Sequence, residues 1–184
     1  VKSSAVLGVI LAIVVLFVFL RRMGTTLIVS LAIPISIVAT FNLMFFNGLT
    51  LNIMTLGGLA LGAGMLVDNA IVVIESIFRI QEKGLSIKEA AINGTAEVAN
   101  AVIASTLTTI VVFLPIVYLH GASGELFKDQ AWTVTFSLVS SLFVAILVIP
   151  MLYIQLSGKK IKLEEVKSIR IAGYSRVLRR LIQR

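Results

Sequence analysis

Long apolar runs alternate with short polar stretches along this chain. Each run has about 20 residues, and at a rise of about 1.5 Å per residue a helix of that length crosses the ~30 Å hydrocarbon core of a bilayer. Membrane-spanning strands need only about ten residues of alternating polarity, so the pattern predicts helices rather than a barrel. The predicted spans are residues 4–20, 25–46, 53–78, 98–119 and 131–156.

Two of the polar stretches have recognisable local signals. Residues 79–97 are charged and predict a short surface helix, with Ser86 as its N-cap and Glu89 three positions later. That spacing is typical of a capping box, in which the two side chains bond each other's backbone N–H groups. Residues 120–127 are rich in Gly and Ser and predict a hairpin turn between the last two spans.

The composition changes abruptly near residue 158, where the apolar runs end. Residues 158–184 are rich in Lys and Arg, and their apolar positions recur every three or four residues. This pattern predicts a basic amphipathic helix lying on an anionic membrane surface, with a calmodulin-like target or a nucleic-acid-binding helix as the weaker alternatives. The predicted fold class is therefore all-α: a five-helix transmembrane bundle over residues 1–157, followed by a cytoplasmic interfacial helix.

Composition supports a membrane protein and excludes several kinds of site. Hydrophobic residues make up 58% of the 184 positions, against about 45–50% in soluble domains. The chain has no cysteine and His120 as its one histidine, so neither a disulfide framework nor a transition-metal site is expected. The net charge of +7 comes from residues that flank apolar runs or crowd the tail, which indicates membrane flanks rather than nucleic-acid binding.

The distribution of basic residues predicts an orientation. The ends of the first, third and fifth runs are basic, whereas the opposite side carries only Lys2 and Lys128. The positive-inside rule then puts the N-terminus outside and the tail in the cytoplasm. The chain starts without Met, and five spans with an outside start suit a piece of a longer polypeptide. The basic residues before the tail on the cytoplasmic side are Arg21, Arg22, Arg79, Lys83 and Lys88.

Asp68 is the residue that points most directly to a function. It lies far from either end of the third run, and an ionised carboxylate at such a depth costs about 2.5–3.5 kcal/mol. Such residues usually serve a proton relay, an ion site or a buried ion pair, and no cation of this chain lies at a comparable depth. We therefore expect Asp68 to bind and release a proton, with Asn69 beside it as a hydrogen-bonding group that does not titrate.

Glu75 shares a helix face with Asp68, since seven residues rotate a helix by about 20° beyond two full turns. It lies closer to the cytoplasmic end of the run, where Arg79 follows four positions later. An ion pair with Arg79 is the favoured interpretation, and support of the relay is the second.

Small and hydroxyl-bearing residues supply the remaining candidates. Gly58, Gly62 and Gly64 allow close helix approach and predict that the third run lies at the centre of the bundle. Ser105 and Thr109 are one turn apart in the fourth run. Bonds to the carbonyl four residues earlier or to a neighbouring helix explain such hydroxyls most simply, and support of Asp68 is the alternative. The chain shows no catalytic set, no metal site and no cofactor motif, so we do not expect an enzyme.

The run GMLVDNAIVVIE at residues 64–75 strongly resembles the fourth-helix signature of the resistance–nodulation–division (RND) efflux transporters, the family of AcrB. Further motifs extend the resemblance over essentially the whole chain. They are EKG at 82–84, KEAA at 88–91, VFLP at 112–115 and GASG at 121–124.

The resemblance implies that the chain contains the second to sixth transmembrane helices of the N-terminal half of such a transporter. It implies a homotrimeric proton/substrate antiporter of the bacterial inner membrane that exports drugs or other toxic compounds. The implied partners are periplasmic porter domains, a second transmembrane half with a deep Lys or Arg, an adaptor and an outer-membrane channel, and membrane lipids. Many relatives carry two adjacent aspartates where this chain has Asp68 and Asn69. The alternatives are an RND-fold relative that moves lipids or proteins, and a fragment that does not transport.

Overall fold

The computed structural model describes residues 23–158, and the secondary-structure elements within that range are all helices joined by short turns. The first predicted span and the tail lie outside the described residues. The elements are α1 (Met23–Phe46), α2 (Ile53–Gln81), α3 (Ile87–Phe113), a 3-10 helix (Leu114–Tyr118), α4 (Ala122–Phe143), a π-helical segment (Val144–Val148) and α5 (Ile149–Gly158).

Four stretches of the described helices are long and apolar enough to cross a membrane. They confirm an all-α membrane protein, and two of them nearly coincide with the predicted spans 25–46 and 53–78. The other two are longer than predicted. The four stretches are Gly24–Phe46, Ile53–Gln81, Ile87–Tyr118 and Phe127–Ser157.

Helix α2 lies at the centre of the described bundle and packs against α1, α3 and α4, with its C-terminal end also touching α5. Its buried apolar residues recur at helical spacing and join one core with residues of the other helices. Ala70, Val73, Ile74 and Ile77 are each at most 4% exposed. At the end of α2, the Tyr153 hydroxyl of α5 donates a hydrogen bond to the Gln81 side chain.

Glycine lets α3 cross α2 at backbone contact. A Cβ built on Gly94 would lie 2.5 Å from the Cα of Ile77, so any side chain at this position would push the two helices apart. Small residues at a helix crossing serve this purpose in membranes, where van der Waals contact replaces the hydrophobic effect.

The predicted short surface helix is wrong in its extent, because residues 87–97 are the first turns of α3 itself. Its start is confirmed: the Ser86 side chain accepts from the Glu89 N–H, and the Glu89 carboxylate accepts from the Ser86 N–H. The segment that follows contains no proline and is rich in Ala, a strong helix former, so the helix continues into the apolar run.

The predicted hairpin at residues 120–127 is also wrong, because α4 starts at Ala122. The chain reverses at Gly121, whose φ of 92° is a conformation that residues with a side chain rarely adopt. The Ser and Gly that suggested a turn instead form the first turn of a helix.

Proline explains the irregular backbone around residue 146. Pro150 has no N–H to donate to the carbonyl four residues earlier, and its ring crowds that carbonyl. The backbone hydrogen bonds of the helix there join residues five positions apart, and the Ile149 N–H donates to the Val144 carbonyl. The helix therefore continues from α4 to α5 through one π-helical turn.

Candidate functional site at the middle of the central helix

Asp68 lies in the middle of α2 on a face that the other described helices leave open. Its side chain is exposed, as are Gly64 one turn before it and Val72 one turn after it. Within residues 23–158, no basic side chain forms an ion pair with Asp68. The Asp68 carboxylate thus lies at mid-helix on a face that no described helix covers.

Asn69, the next residue, faces the opposite way, into the bundle. It is only 7% exposed. Its Nδ2 donates to the Thr106 Oγ1 on α3 at 3.1 Å and to the Ser141 Oγ on α4 at 3.3 Å. The Ser141 hydroxyl in turn donates to the Leu66 carbonyl on α2 at 3.2 Å. One amide therefore joins three helices.

The contrast between the two neighbours follows from helix geometry. Successive residues differ by about 100° around the axis, so a helix that buries one of them turns the other away. The sequence predicted Asn69 as the hydrogen-bonding partner of Asp68; in the structure its amide donors are directed to Thr106 and Ser141 instead.

Ser105 and Thr109 lie on a different side of α3 from the residue that meets Asn69. The Thr109 hydroxyl donates to the Ser105 carbonyl at 3.0 Å, and Ser105 is exposed. The structure does not bring either residue to Asn69. Thr106 is the residue of α3 that contacts Asn69. The sequence pattern could have indicated it, because Thr95, Val102 and Thr106 repeat at helical spacing along the buried face of α3.

Glu75 is exposed on the same open face as Asp68. The predicted ion pair between Glu75 and Arg79 is wrong, because Arg79 Nη2 bonds Glu97 Oε1 at 2.8 Å. The extended start of α3 runs beside the end of α2 and carries Glu97 within reach. Both side chains are about half exposed, so the pair contributes at most about 1 kcal/mol.

The three candidate glycines of α2 lie in two environments. A Cβ on Gly58 would lie 2.9 Å from the Thr133 Cβ, and one on Gly62 would meet Ser137, so both glycines contact α4. A Cβ on Gly64 would meet no atom within 4 Å. Gly64 therefore belongs to the open face of Asp68.

A hydrogen-bonded bridge holds the start of α2. The Asn52 Oδ1 accepts from the N–H groups of Met54 and Thr55, and its Nδ2 donates to the Asp129 Oδ2 on α4 at 3.0 Å. Asp129 thus has a structural partner at a helix end, whereas Asp68 has no ion-pair partner in the part of the chain that the structure describes.

Comparison with known proteins identifies the family. The family model described as AcrB/AcrD/AcrF matches residues 1–184, the whole chain. The chain belongs to the AcrB/AcrD/AcrF family. The resemblance to RND transporters in the run at residues 64–75 is thereby confirmed.

Similar proteins carry different names. The swarming motility protein SwrC of Bacillus subtilis is 39% identical over 185 residues, which cover 96% of this chain and 18% of that protein. The multidrug resistance protein MdtC of Pectobacterium atrosepticum is 36% identical over 178 residues, and MdtC of Escherichia coli is 37% identical over 179; each alignment covers 97% of this chain. The chain spans only 17–18% of the length of these relatives.

Family membership and the four apolar helices together make this chain part of a multi-pass membrane protein. The acidic and basic residues on the other described helices lie within the first three turns of those helices, whereas Asp68 lies at the middle of α2. They are Lys88, Glu89, Glu97, Glu125, Lys128 and Asp129.

Proposed function

We propose that this chain is the proton-relay portion of an RND-type proton/substrate antiporter. The observation that carries the proposal is the position of Asp68: mid-helix, exposed on the bundle, and without an ion-pair partner among residues 23–158. A carboxylate is seldom placed inside a membrane unless it carries protons or ions or has a buried partner.

The open face of α2 is unsuited to lipid. The exposed face of α1 carries large apolar side chains such as Leu31, Val38 and Phe45, as a lipid-facing surface does. The exposed stripe of α2 instead includes Gly64, Asp68 and Glu75. Ionisable residues in membrane proteins nearly always face the bundle interior or a water-filled cavity, which supports a protein covering for this stripe.

The proposed covering is the second transmembrane half of the transporter, with a Lys or Arg at the depth of Asp68. When Asp68 is ionised, it attracts that cation; when it takes up a proton, the charge pair is lost and the halves shift relative to each other. Alternating between these states moves one proton from the outside to the cytoplasm for each cycle of this group. Glu75, Ser105 and Thr109 remain proposed supporting residues of the relay.

The surroundings of the relay follow from the same proposal. The transporter lies in the bacterial inner membrane with the N-terminus of this chain in the periplasm and residues 158–184 in the cytoplasm. It forms a homotrimer with periplasmic porter domains, and its outer partners are an adaptor and an outer-membrane channel. The charge asymmetry of the loops supports this orientation.

The names of the relatives support two kinds of cargo. MdtC is named for multidrug resistance, which favours export of drugs or other toxic compounds. SwrC is named for swarming motility, which favours a second candidate, an RND-type transporter whose cargo is not a drug.

Replacement of the proposed relay group tests the function. In the full-length transporter, Asp68→Asn keeps the size of the side chain but removes the titrating proton, so ethidium efflux driven by an imposed pH gradient should be abolished. Glu125→Gln, the same change at an exposed helix end, is the matched control and should export normally. Both variants should assemble at the parental level. Efflux by Asp68→Asn at the parental rate would show that Asp68 is not the relay group.

A further inference from the structure

We propose that Asn69 is a positioning residue for Asp68, acting through a junction that it forms with Thr106 and Ser141. The inference rests on the proposed function, because it concerns how the relay carboxylate is held. The junction fixes the rotation of α2 about its own axis, and that rotation keeps Asp68 on the open face.

The junction involves three helices at one level. Both hydrogens of the Asn69 amide are used, one on the Thr106 Oγ1 at 3.1 Å and one on the Ser141 Oγ at 3.3 Å. The Ser141 hydroxyl donates to the Leu66 carbonyl and closes a ring between α2 and α4. All four residues are at most 7% exposed, so water does not compete for these bonds.

Other contacts on this side of α2 do not fix its rotation as firmly. The hydroxyls of Thr133 and Ser137, which face Gly58 and Gly62, donate to carbonyls of their own helix. The glycine contacts are steric, and the hydroxyls beside them form no hydrogen bond to α2. The polar contact of the Asn69 junction is directional, since a hydrogen bond weakens steeply when its angle falls.

An amide suits this position better than a carboxylate does. An ionised Asp side chain accepts hydrogen bonds but donates none. The Ser141 hydrogen already points to the Leu66 carbonyl, so a carboxylate at position 69 would have to draw it away. With Asn69 the junction stays neutral at every pH, and its geometry does not change when Asp68 gains or loses a proton.

Within residues 23–158, no charged side chain hydrogen-bonds to the junction. Helix α1 has no acidic or basic residue, and the nearest ones on α2 itself are Asp68 and Glu75. Those of α3 and α4 lie within the first three turns of each helix, at Lys88, Glu89, Glu97, Glu125, Lys128 and Asp129. The titratable Tyr153 of α5 bonds Gln81. A change at the junction therefore acts on the titration of Asp68 through its position and not through a new charge.

The test follows the carboxyl band of Asp68 by infrared spectroscopy, with purified full-length protein in lipid, as the pH is varied. This measurement needs no knowledge of the cargo, and the band is assigned by its loss in Asp68→Asn. Thr106→Val removes the acceptor on α3, and Asn69→Ala removes the donor. Because each change frees α2 to turn and so moves Asp68, we expect each to shift the midpoint of the titration, and the double variant to shift it no further than the larger single shift.

Two control variants distinguish a positioning role from a purely structural role. Thr106→Ser retains the hydroxyl and should keep the parental midpoint. Thr108→Val removes a hydroxyl that bonds the Ala104 carbonyl of its own helix, and it should also leave the midpoint unchanged. Parental midpoints in Thr106→Val and Asn69→Ala, with only a lower unfolding temperature, would overturn the inference while leaving the relay intact. If no titrating carboxyl band disappears in Asp68→Asn, the proposed function and the inference are both overturned.

Discussion

Gly62 of α2 lies directly against the side chain of Ser137 on α4. A Cβ on Gly62 would lie 2.4 Å from the Ser137 Cβ and 2.6 Å from its Oγ. The Ser137 hydroxyl donates to the Thr133 carbonyl of its own helix, so the contact is one of shape alone. Without a hydrophobic effect between helices inside the membrane, such close fits supply much of the association energy.

Gly62→Ala should therefore destabilise the bundle. Its methyl group has no space, and overpacking of this kind costs about 1–3 kcal/mol. The matched control is Gly64→Ala on the same helix, where a Cβ meets nothing within 4 Å in the described chain. Thermal unfolding of the two variants of this chain in lipid nanodiscs should show a lower midpoint for Gly62→Ala only. Equal midpoints would contradict the close approach of α2 and α4.

The bridge between Asn52 and Asp129 should stabilise the start of α2. Asn52→Ala removes both the cap on the N–H groups of Met54 and Thr55 and the bond to α4. Loss of an N-cap costs about 0.5–2 kcal/mol. Hydrogen exchange at the first turn of α2 should accelerate in Asn52→Ala. In Asn47→Ala, whose side chain bonds the Leu43 carbonyl in the last turn of α1, exchange there should remain parental; equal exchange in both variants would count against the bridge.

A second carboxylate beside Asp68 should change the pH dependence of transport without eliminating it. Asn69→Asp adds a titratable group, and two interacting carboxyls release their protons in two macroscopic steps. Infrared titration of the full-length protein should show two transitions in place of one.

The control for that variant moves the carboxylate by one position. The swap Asp68→Asn with Asn69→Asp retains one acid but places it on the buried face, among Thr106 and Ser141. It should titrate in a single step and fail to drive efflux. Parental efflux from the swapped protein would show that the face of the helix is unimportant.

Cysteine labelling tests the proposed orientation, and the natural chain contains no cysteine to interfere. Lys83 and His120 are exposed residues in turns at opposite ends of α3. We expect Lys83→Cys to react with a membrane-impermeant maleimide only from the cytoplasm and His120→Cys only from outside. The reverse pattern would invert the topology.

The local features of this protein could be predicted from the sequence because they depend on neighbouring residues. A helix in a bilayer satisfies its own backbone groups, so run length and polarity alone predicted where α1 and α2 lie. The Ser86 cap was predictable for the same reason, since Ser86 and Glu89 are three residues apart. The run at residues 64–75 also identified the family.

The sequence predicted the wrong element boundaries where a polar segment could either form a separate element or continue into the next helix. Residues 87–97 are charged enough to suggest a separate surface helix. They are helical as predicted, but they form the first turns of α3. Gly and Ser at residues 121–124 suggested a hairpin, but after the turn at Gly121 the chain forms the first turn of α4. Composition indicates which residues are polar and does not decide where one element ends.

The sequence by itself determined the helical class, the membrane environment, the family and the presence of a carboxylate far from either end of a long apolar run. Only the tertiary structure decided which way that carboxylate faces. Asn69 meets Thr106 and Ser141, and Arg79 meets Glu97, across separations of 18 to 72 residues. The packing of α2 against α3 and α4 brings these partners together, and no periodicity within one helix encodes the rotation at which two helices meet.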